Sequence, residues 1–505
     1  MNINNREDKK IAGKTLKRIK DKKSDYWTKR AEDVSLKLFH EAAEKVPAYK
    51  DFLRKNKINP AKIKNFKDFK SVPATSKENY LRQYPLEDLT WNGHLKKSLV
   101  FASTSGSTGV PFYFPRNRIL DWQSSVYHQI FLENSRIDIN KSTLVIVCFG
   151  MGVWIGGLIT YQAFKSISDI GYPLAIITPG VNKKEIFEAL KHIGPKFNQI
   201  ILCGYPPFMK DVVDEAESQG VRWQDYDLRI IFAAESFSEK FRQYIVDKTK
   251  IKNIYSDTMN IYGTADIGTM AIETPINIMM RKIALDRKKI FNDIFAEANR
   301  LPTFVQFNPE FINFESLDKN IYITGNNTIP FVRHEIGDNG GVVSWNEADS
   351  IFKSHGINIR KEAENAGLEH SVFELPSVYL YERSDMSTKL YGAIIFPEYV
   401  KGGLEYGKFA DYITGKFTMF TKHDKKQNEY LEINIELKNG VKFGEILKKE
   451  IRKSINESLL KNSAEHKNNA QMMGEKVSPK IVLWPYEHPL YFKSGTKQRW
   501  VKKEV

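Results

Sequence analysis

The chain has 505 residues, 76 of them Lys or Arg and 61 Asp or Glu, for a formal net charge of +15. That length exceeds what one compact core fills, so two or three domains are expected, and 41% hydrophobic residues supply an enzyme-sized interior. The surplus lysines are spread thinly, with no arginine-rich helix or aromatic–basic ladder, which argues against a nucleic-acid-binding protein.

Two cysteines, Cys148 and Cys203, lie in apolar runs and read as buried thiols of a reduced compartment, so a cytoplasmic location is expected. The ten histidines form no zinc or haem pattern. The first residues are polar and basic, unlike a signal peptide.

In chain order, residues 1–95 read as helical and basic. The spacing of Val34, Leu36, Leu38, Phe39 and Ala42 suits an amphipathic helix, and Pro47 follows it. The segment 101–111, FASTSGSTGVP, comes next, with Ser, Thr or Gly at seven of the nine positions from 103 to 111. It offers many backbone and hydroxyl donors and little bulk, the composition of a polyphosphate cradle or of a plain linker. The Gly-Lys-Ser/Thr ending of the nucleoside-triphosphatase P-loop is absent.

Residues 143–164 carry no charge over 22 positions, long enough to cross a bilayer. The strand-like run 145–149, broken by Gly150, Gly152, Gly156 and Gly157, favours a buried strand, loop and helix instead, so no membrane span is expected.

Between 98 and 235, apolar runs at 142–149, 174–177, 199–203 and 228–233 alternate with helical stretches at 185–192 and 208–219. This alternation predicts an α/β body with a largely parallel sheet. The region 254–345 is richer in strands, at 303–307, 311–314 and 320–324. A second α/β unit begins near 386, with strands at 391–395, 430–437 and 477–483, a helix at 444–460 and a polar loop at 461–476.

Four further segments carry chemical residue types: NIYGTADIG at 260–268, PFVRHEIGD at 330–338, ERSD at 382–385 and KSGTKQR at 493–499. A tyrosine before glycine at a strand end makes a flat stacking platform, and one carboxylate can accept from two vicinal hydroxyls. Taken singly, each has a plainer reading: a turn after a buried strand, a solvent-facing aspartate, an ordinary terminal lysine.

With the hydroxyl-rich loop, these segments in this order resemble the signatures of the adenylate-forming enzymes, in particular their phenylacetate–CoA ligase-like branch. The likeness covers roughly residues 30–500, including VPAY at 46–49 and FKSVPATSK at 69–77. It implies an α/β fold: a large multi-layer N-terminal domain with mostly parallel sheets, and a small mobile α+β C-terminal domain. The corresponding boundaries are a helical extension at 1–95, an ATP- and acyl-binding domain at 96–384, and the small domain at 385–505.

By the same resemblance, Ser103, Thr104, Ser105, Gly106, Ser107, Thr108 and Gly109 would cradle the triphosphate. Tyr262 would stack on adenine with room made by Gly263, Thr264 would lie near the α-phosphate, and Asp266 would help hold Mg²⁺. Asp338 would accept from the ribose hydroxyls, and Ala234 and Glu235 would line the nucleotide and acyl sites. Arg383 would hold the nucleotide, Asp385 would be the hinge, and Lys497 would carry adenylation, with Lys493 as a register alternative. The turn GYPP at 204–207 resembles the segment before Ala234.

Three positions depart from the pattern: Val110 stands for a lysine, Asp266 for a glutamate and Glu382 for a glycine. The activity implied is a two-step ligase that activates an aryl or acyl carboxylic acid with Mg–ATP. It would then transfer the acyl group to the thiol of coenzyme A. A phosphopantetheine carrier protein is the alternative acceptor, suited by an acidic surface to this basic chain, in secondary-metabolite or polysaccharide biosynthesis. A catalytically reduced binding or regulatory protein on the same fold is the other alternative. The acid itself is left open, with Trp154 and Phe237 pointing towards an aromatic or apolar one; a homodimer is likewise left open.

Overall fold

A computed structural model of the chain describes residues 3–96, 99–103, 112–152, 155–295, 301–381, 387–391, 393–404, 407–424, 429–442, 444–493, 498 and 500–501. Four helices lead: α1 (Ile3–Asp21), α2 (Ser24–Lys45), α3 (Pro47–Lys55) and α4 (Phe66–Phe69). The predicted stripe on α2 buries Leu38, Phe39 and Ala42, and α3 starts at Pro47, where a fixed φ suits the first helical position. These side chains join one core with strands from the 305–380 region, so the N-terminal helices are packed on the body.

A hairpin follows, β1 (Val100–Ser103) with β2 (Tyr113–Arg116), and then α5 (Arg118–Asn134). The alternating body comes next: β3 (Thr143–Cys148), α6 (Ile155–Asp169), β4 (Leu174–Ile177), α7 (Lys183–His192), β5 (Gln199–Gly204), α8 (Pro206–Glu215), β6 (Leu228–Ala233), α9 (Glu239–Thr249) and β7 (Thr258–Thr264). The uncharged run at 143–164 is β3, its loop and the start of α6, and no described helix is long and apolar enough to cross a membrane. β3 is buried along its whole length, as a strand covered on both faces should be. Cys148 and Cys203 are buried free thiols on the paired strands β3 and β5.

The chain continues through β8 (Gly268–Ile272), α10 (Pro275–Asp286), α11 (Lys288–Ile294), β9 (Thr303–Gln306), β10 (Ile312–Leu317), β11 (Asn320–Gly325), β12 (Phe331–Val343), α12 (Trp345–Ser354), α13 (Ile359–Asn365) and β13 (Ser377–Tyr381). Eleven strands make one sheet in the order β10-β11-β12-β13-β9-β8-β7-β6-β5-β3-β4. Parallel pairing is confined to β4-β3-β5-β6-β7, where helices intervene; from β7 to β10 every pairing is antiparallel. The parallel part is sandwiched between a core containing α5 and α6 and another containing α7, α8 and α9.

The remaining residues form β14 (Thr388–Leu390), β15 (Ala393–Ile395), α14 (Pro397–Gly403), β16 (Ile413–His423), β17 (Glu429–Leu437), α15 (Glu445–Asn462), α16 (Ala464–Met473) and β18 (Lys480–Trp484). A hydrophobic cluster running from Leu390 to Trp500 is drawn wholly from this stretch.

Two expectations fail here. The strand expected at 391–395 is half of a β14–β15 hairpin that turns at Tyr391, whose φ is +47°. The polar loop expected at 461–476 contains α16: the Ser463 side chain accepts from the His466 N–H and caps its start.

Candidate functional site

Ligands of open parallel sheets bind beyond the carboxyl ends of the strands, where loops present backbone and side-chain groups. Here those ends are Cys148 of β3, Gly204 of β5, Ala233 of β6 and Thr264 of β7. Three of the predicted residues lie immediately at the last of them, and the antiparallel half of the sheet brings a fourth.

The Tyr262 hydroxyl donates to Asp338 Oδ2, joining β7 to β12 across 76 residues of sequence. The Tyr262 ring rests 6.2 Å from Phe314, so one face leans on the core while the phenol fixes the aspartate. β12 can run past β13 here because Gly340 has no side chain: a Cβ would lie 1.9 Å from the Tyr379 carbonyl oxygen. Gly263 is needed for a similar reason, since a Cβ would come within 2.5 Å of the Gly268 oxygen in the β7–β8 turn. Room beside the tyrosine is therefore only part of its role.

Thr264 Oγ1 is buried and has no hydrogen-bond partner among the described residues. A buried hydroxyl left so is costly unless something else supplies its partner. Asp266, 3% exposed, sits in the same turn. Its Oδ1 lies 3.5 Å from Lys77 Nζ, and its backbone oxygen accepts from Asn327 Nδ2 at 3.0 Å. No group of three or more His, Cys, Asp or Glu suited to a metal occurs among the described residues.

Lys77 is the site residue that sequence reasoning passed over, although it closes the 69–77 segment. It arrives on a strap bound to β12: Thr75 N–H donates to Arg333 O, and Glu335 N–H to Thr75 O. Arg333 Nη1 reaches back to the Lys70 and Val72 oxygens. Thr75 Oγ1 is 3.0 Å from His334 Nδ1. Burial, reinforced by the Lys77 charge, lowers the His334 imidazole to about 3, so it is neutral at ordinary pH. The legible signal was the capping pair Ser76–Asn79, which starts a helical turn and fixes the direction of Lys77.

At the end of β6, Ala234 has φ +73°, the left-handed region that an alanine enters at a cost. The carbonyl of the next residue, Glu235, accepts from Asn260 Nδ2 at 3.3 Å. Behind this turn is a buried quartet: Arg242 bonds Glu239 and Glu273, Arg281 bonds Glu239, and Glu273 accepts from the Asn260 N–H. Burial alone would raise the Glu239 carboxyl, but Arg242 and Arg281 hold it down at about 2. These charges pin α9 and α10 under the turn that carries Ala234 and Glu235.

Ser103 ends β1 opposite Tyr113 and is buried. Thr104, Ser105, Gly106, Ser107, Thr108 and Gly109 lie outside the described residues, as do Trp154, Arg383, Asp385 and Lys497. The structure thus brings together Tyr262, Gly263, Thr264, Asp266 and Asp338, with Lys77 added. A flat ring, a fixed carboxylate, a buried hydroxyl and an ammonium–carboxylate pair at one strand end suit a sugar–phosphate ligand.

No family model matches the chain. It is 25% identical over 229 residues to the phenylacetate-coenzyme A ligase of Pseudomonas putida, and equally to that of Aromatoleum evansii. Each match takes 45% of this chain and 48% of the relative, so the chain matches about half the length of these curated relatives. In fold it is similar to 2-hydroxyisobutyryl-CoA ligase solved in the postadenylation state with R3-HIB-AMP, with a TM-score of 0.67 at 14% identity. That likeness covers 97% of this chain and 92% of the other. With 2-HIB-AMP and CoA in the thioesterification state, the same ligase gives a TM-score of 0.54 over the same shares.

Proposed function

We infer that the chain is an adenylate-forming enzyme of the phenylacetate–CoA ligase-like branch, an AMP-forming acid–thiol ligase. The observation that carries this reading is the Tyr262–Asp338 pair beside the buried Thr264 hydroxyl at the end of β7. ATP lies with its adenine on Tyr262, its ribose hydroxyls on Asp338 and its triphosphate over residues 103–109. The acid carboxylate attacks the α-phosphorus, the bond to pyrophosphate breaks, and an acyl-adenylate remains. Thr264 donates to the α-phosphate, and Lys497, from the C-terminal segment, neutralises charge as the new bond forms.

Mg²⁺ fits this set: one carboxylate with substrate phosphates is the usual protein share of its shell, and Asp266 follows Thr264 by two residues in the same turn. When bound, it would neutralise phosphate charge. Lys77, already on Asp266, would share that task.

In the second step the thiol of coenzyme A attacks the acyl carbonyl and AMP departs. We place a hinge at Asp385, between a body at 96–384 and a small domain at 385–505, so that the Lys497 face can give way to the thiol. Arg383 keeps its hold on the nucleotide.

The test is ATP–pyrophosphate exchange dependent on both a carboxylic acid and Mg²⁺, over short, aryl, fatty and amino acids. Exchange followed by AMP release on adding coenzyme A is expected. Exchange with a phosphopantetheine carrier protein as the only productive acceptor would reassign the second step, and no exchange with any acid would overturn the ligase reading.

A further inference from the structure

The parallel half of the sheet has a switch point. From β3 the chain crosses by α6 to β4 on one side, then returns by α7 to β5 on the other. The connections leaving β3 and β5 go to opposite faces, with α6 in one core and α8 in the other, so a crevice opens between their carboxyl ends. This is the natural recess for the part of a ligand that is not nucleotide, since Tyr262, which holds Asp338, lies on β7, two strands beyond β5.

One side chain spans that crevice. Tyr205 directly follows β5, and its ring meets Phe149, the residue after β3, edge-on at 5.0 Å between centroids. This ring contact bridges from one lip to the other. The Tyr205 hydroxyl lies 3.7 Å from where a Cβ on Gly156 would stand, in the first turn of α6. Gly157 closes the floor: a Cβ there would come within 2.6 Å of both the Gly150 oxygen and Met151 Sδ. Tyr205 is half-buried, and burial raises its phenol, with the Glu235 carboxylate adding to the rise.

We propose that Tyr205 is the specificity-determining residue of this site, closing the recess between β3 and β5 so that the acid activated is compact, of a few carbons, rather than an aryl or long-chain acid. The proposal rests on the ligase reading above. A pocket closed by a rigid ring rejects larger groups through overlap, whereas a missing methylene in an open apolar pocket changes the rate only about 10–200-fold. Acid size is therefore the property this wall controls best.

The experiment is ATP–pyrophosphate exchange with the full chain on two acid sets. The compact set is acetate, propionate, glycolate and lactate; the bulky set is benzoate, phenylacetate and octanoate. The native chain is expected to favour the compact set. Tyr205→Phe keeps the ring and should keep that ratio. Tyr205→Ala should move the ratio towards the bulky set at least about tenfold. Tyr205→Leu, which still packs on Phe149 but stops short of Gly156, should move it the same way and covers failure of the alanine variant to fold. A native preference for the bulky set, or a ratio unchanged in both shortened variants while exchange persists, overturns this proposal and leaves the ligase reading standing. Absence of exchange in the native chain with either set overturns both.

Discussion

Ala234 holds φ +73°, and a left-handed alanine costs on the order of 1 kcal/mol. Ala234→Gly should therefore raise the midpoint of thermal unfolding by about 1 °C, read by calorimetry. At Asp338, replacement by Asn keeps the shape but removes the charge that Tyr262 orients. With a charged hydrogen bond worth about 1.5–3 kcal/mol, the KM for ATP should rise about tenfold or more in the exchange assay. Lys497→Ala should abolish exchange yet leave thiol transfer from preformed acyl-adenylate largely intact; equal loss of both would remove the assigned role. His334 and His128 are held to about 3 and about 4, first by burial. An unfolded imidazole titrates near 6.5, so each contributes stability that is complete above that pH and is lost as pH falls towards its folded value. Between pH 6.5 and 4 the pair should cost up to about 2.7 kcal/mol per pH unit, and His334→Gln should flatten thermal midpoint against pH.

Among elements, the strap at 70–77 depends on β12 more than on its own sequence. Arg333 directs its guanidinium to the Lys70 and Val72 oxygens of the strap and to Glu315 of β10. Arg333→Ala strands these acceptors, so limited proteolysis should gain a cut between 64 and 77, and Lys77 should lose its fixed approach to Asp266. The strands at 174–177 and 228–233 were legible to the residue, because each is a short apolar run between polar stretches. The helix at 464–473 was not legible: its asparagines and lysine carry little periodicity, and what makes it a helix is the Ser463 cap and packing on α15 and β15. Lys77 was visible as a letter but not as a site residue, because the ladder from Thr75 to His334 is a contact across about 260 positions.

At the scale of the whole molecule, the C-terminal sheet meets the body through charges on and near α8. Lys416 of β16 pairs with Asp211 and Glu436. Lys438 pairs with Asp214, and Lys183 with Glu215 and Glu487. Burial opposes the charge on Lys416, yet Asp211 and Glu436 raise its affinity for the proton above that of a free lysine. Lys416→Met leaves two buried carboxylates facing each other, a loss of about 3–5 kcal/mol that Asp211→Asn in the same chain should partly restore. Because the proposed cycle needs this contact in one orientation only, the single variant should also lower adenylation relative to thiol transfer. A proportional fall in both would mean the contact is held throughout.

The sequence by itself determined the alternating strands and helices, the burial of both cysteines and the order of the hydroxyl-rich segment, tyrosine, aspartate and terminal lysine, because these are local patterns of polarity and residue type. Only the tertiary structure decided that Tyr262 holds Asp338, that Lys77 stands on Asp266, and that Tyr205 spans the gap between β3 and β5. Each is a contact made by sheet order or by a long crossover, between partners that lie far apart in sequence.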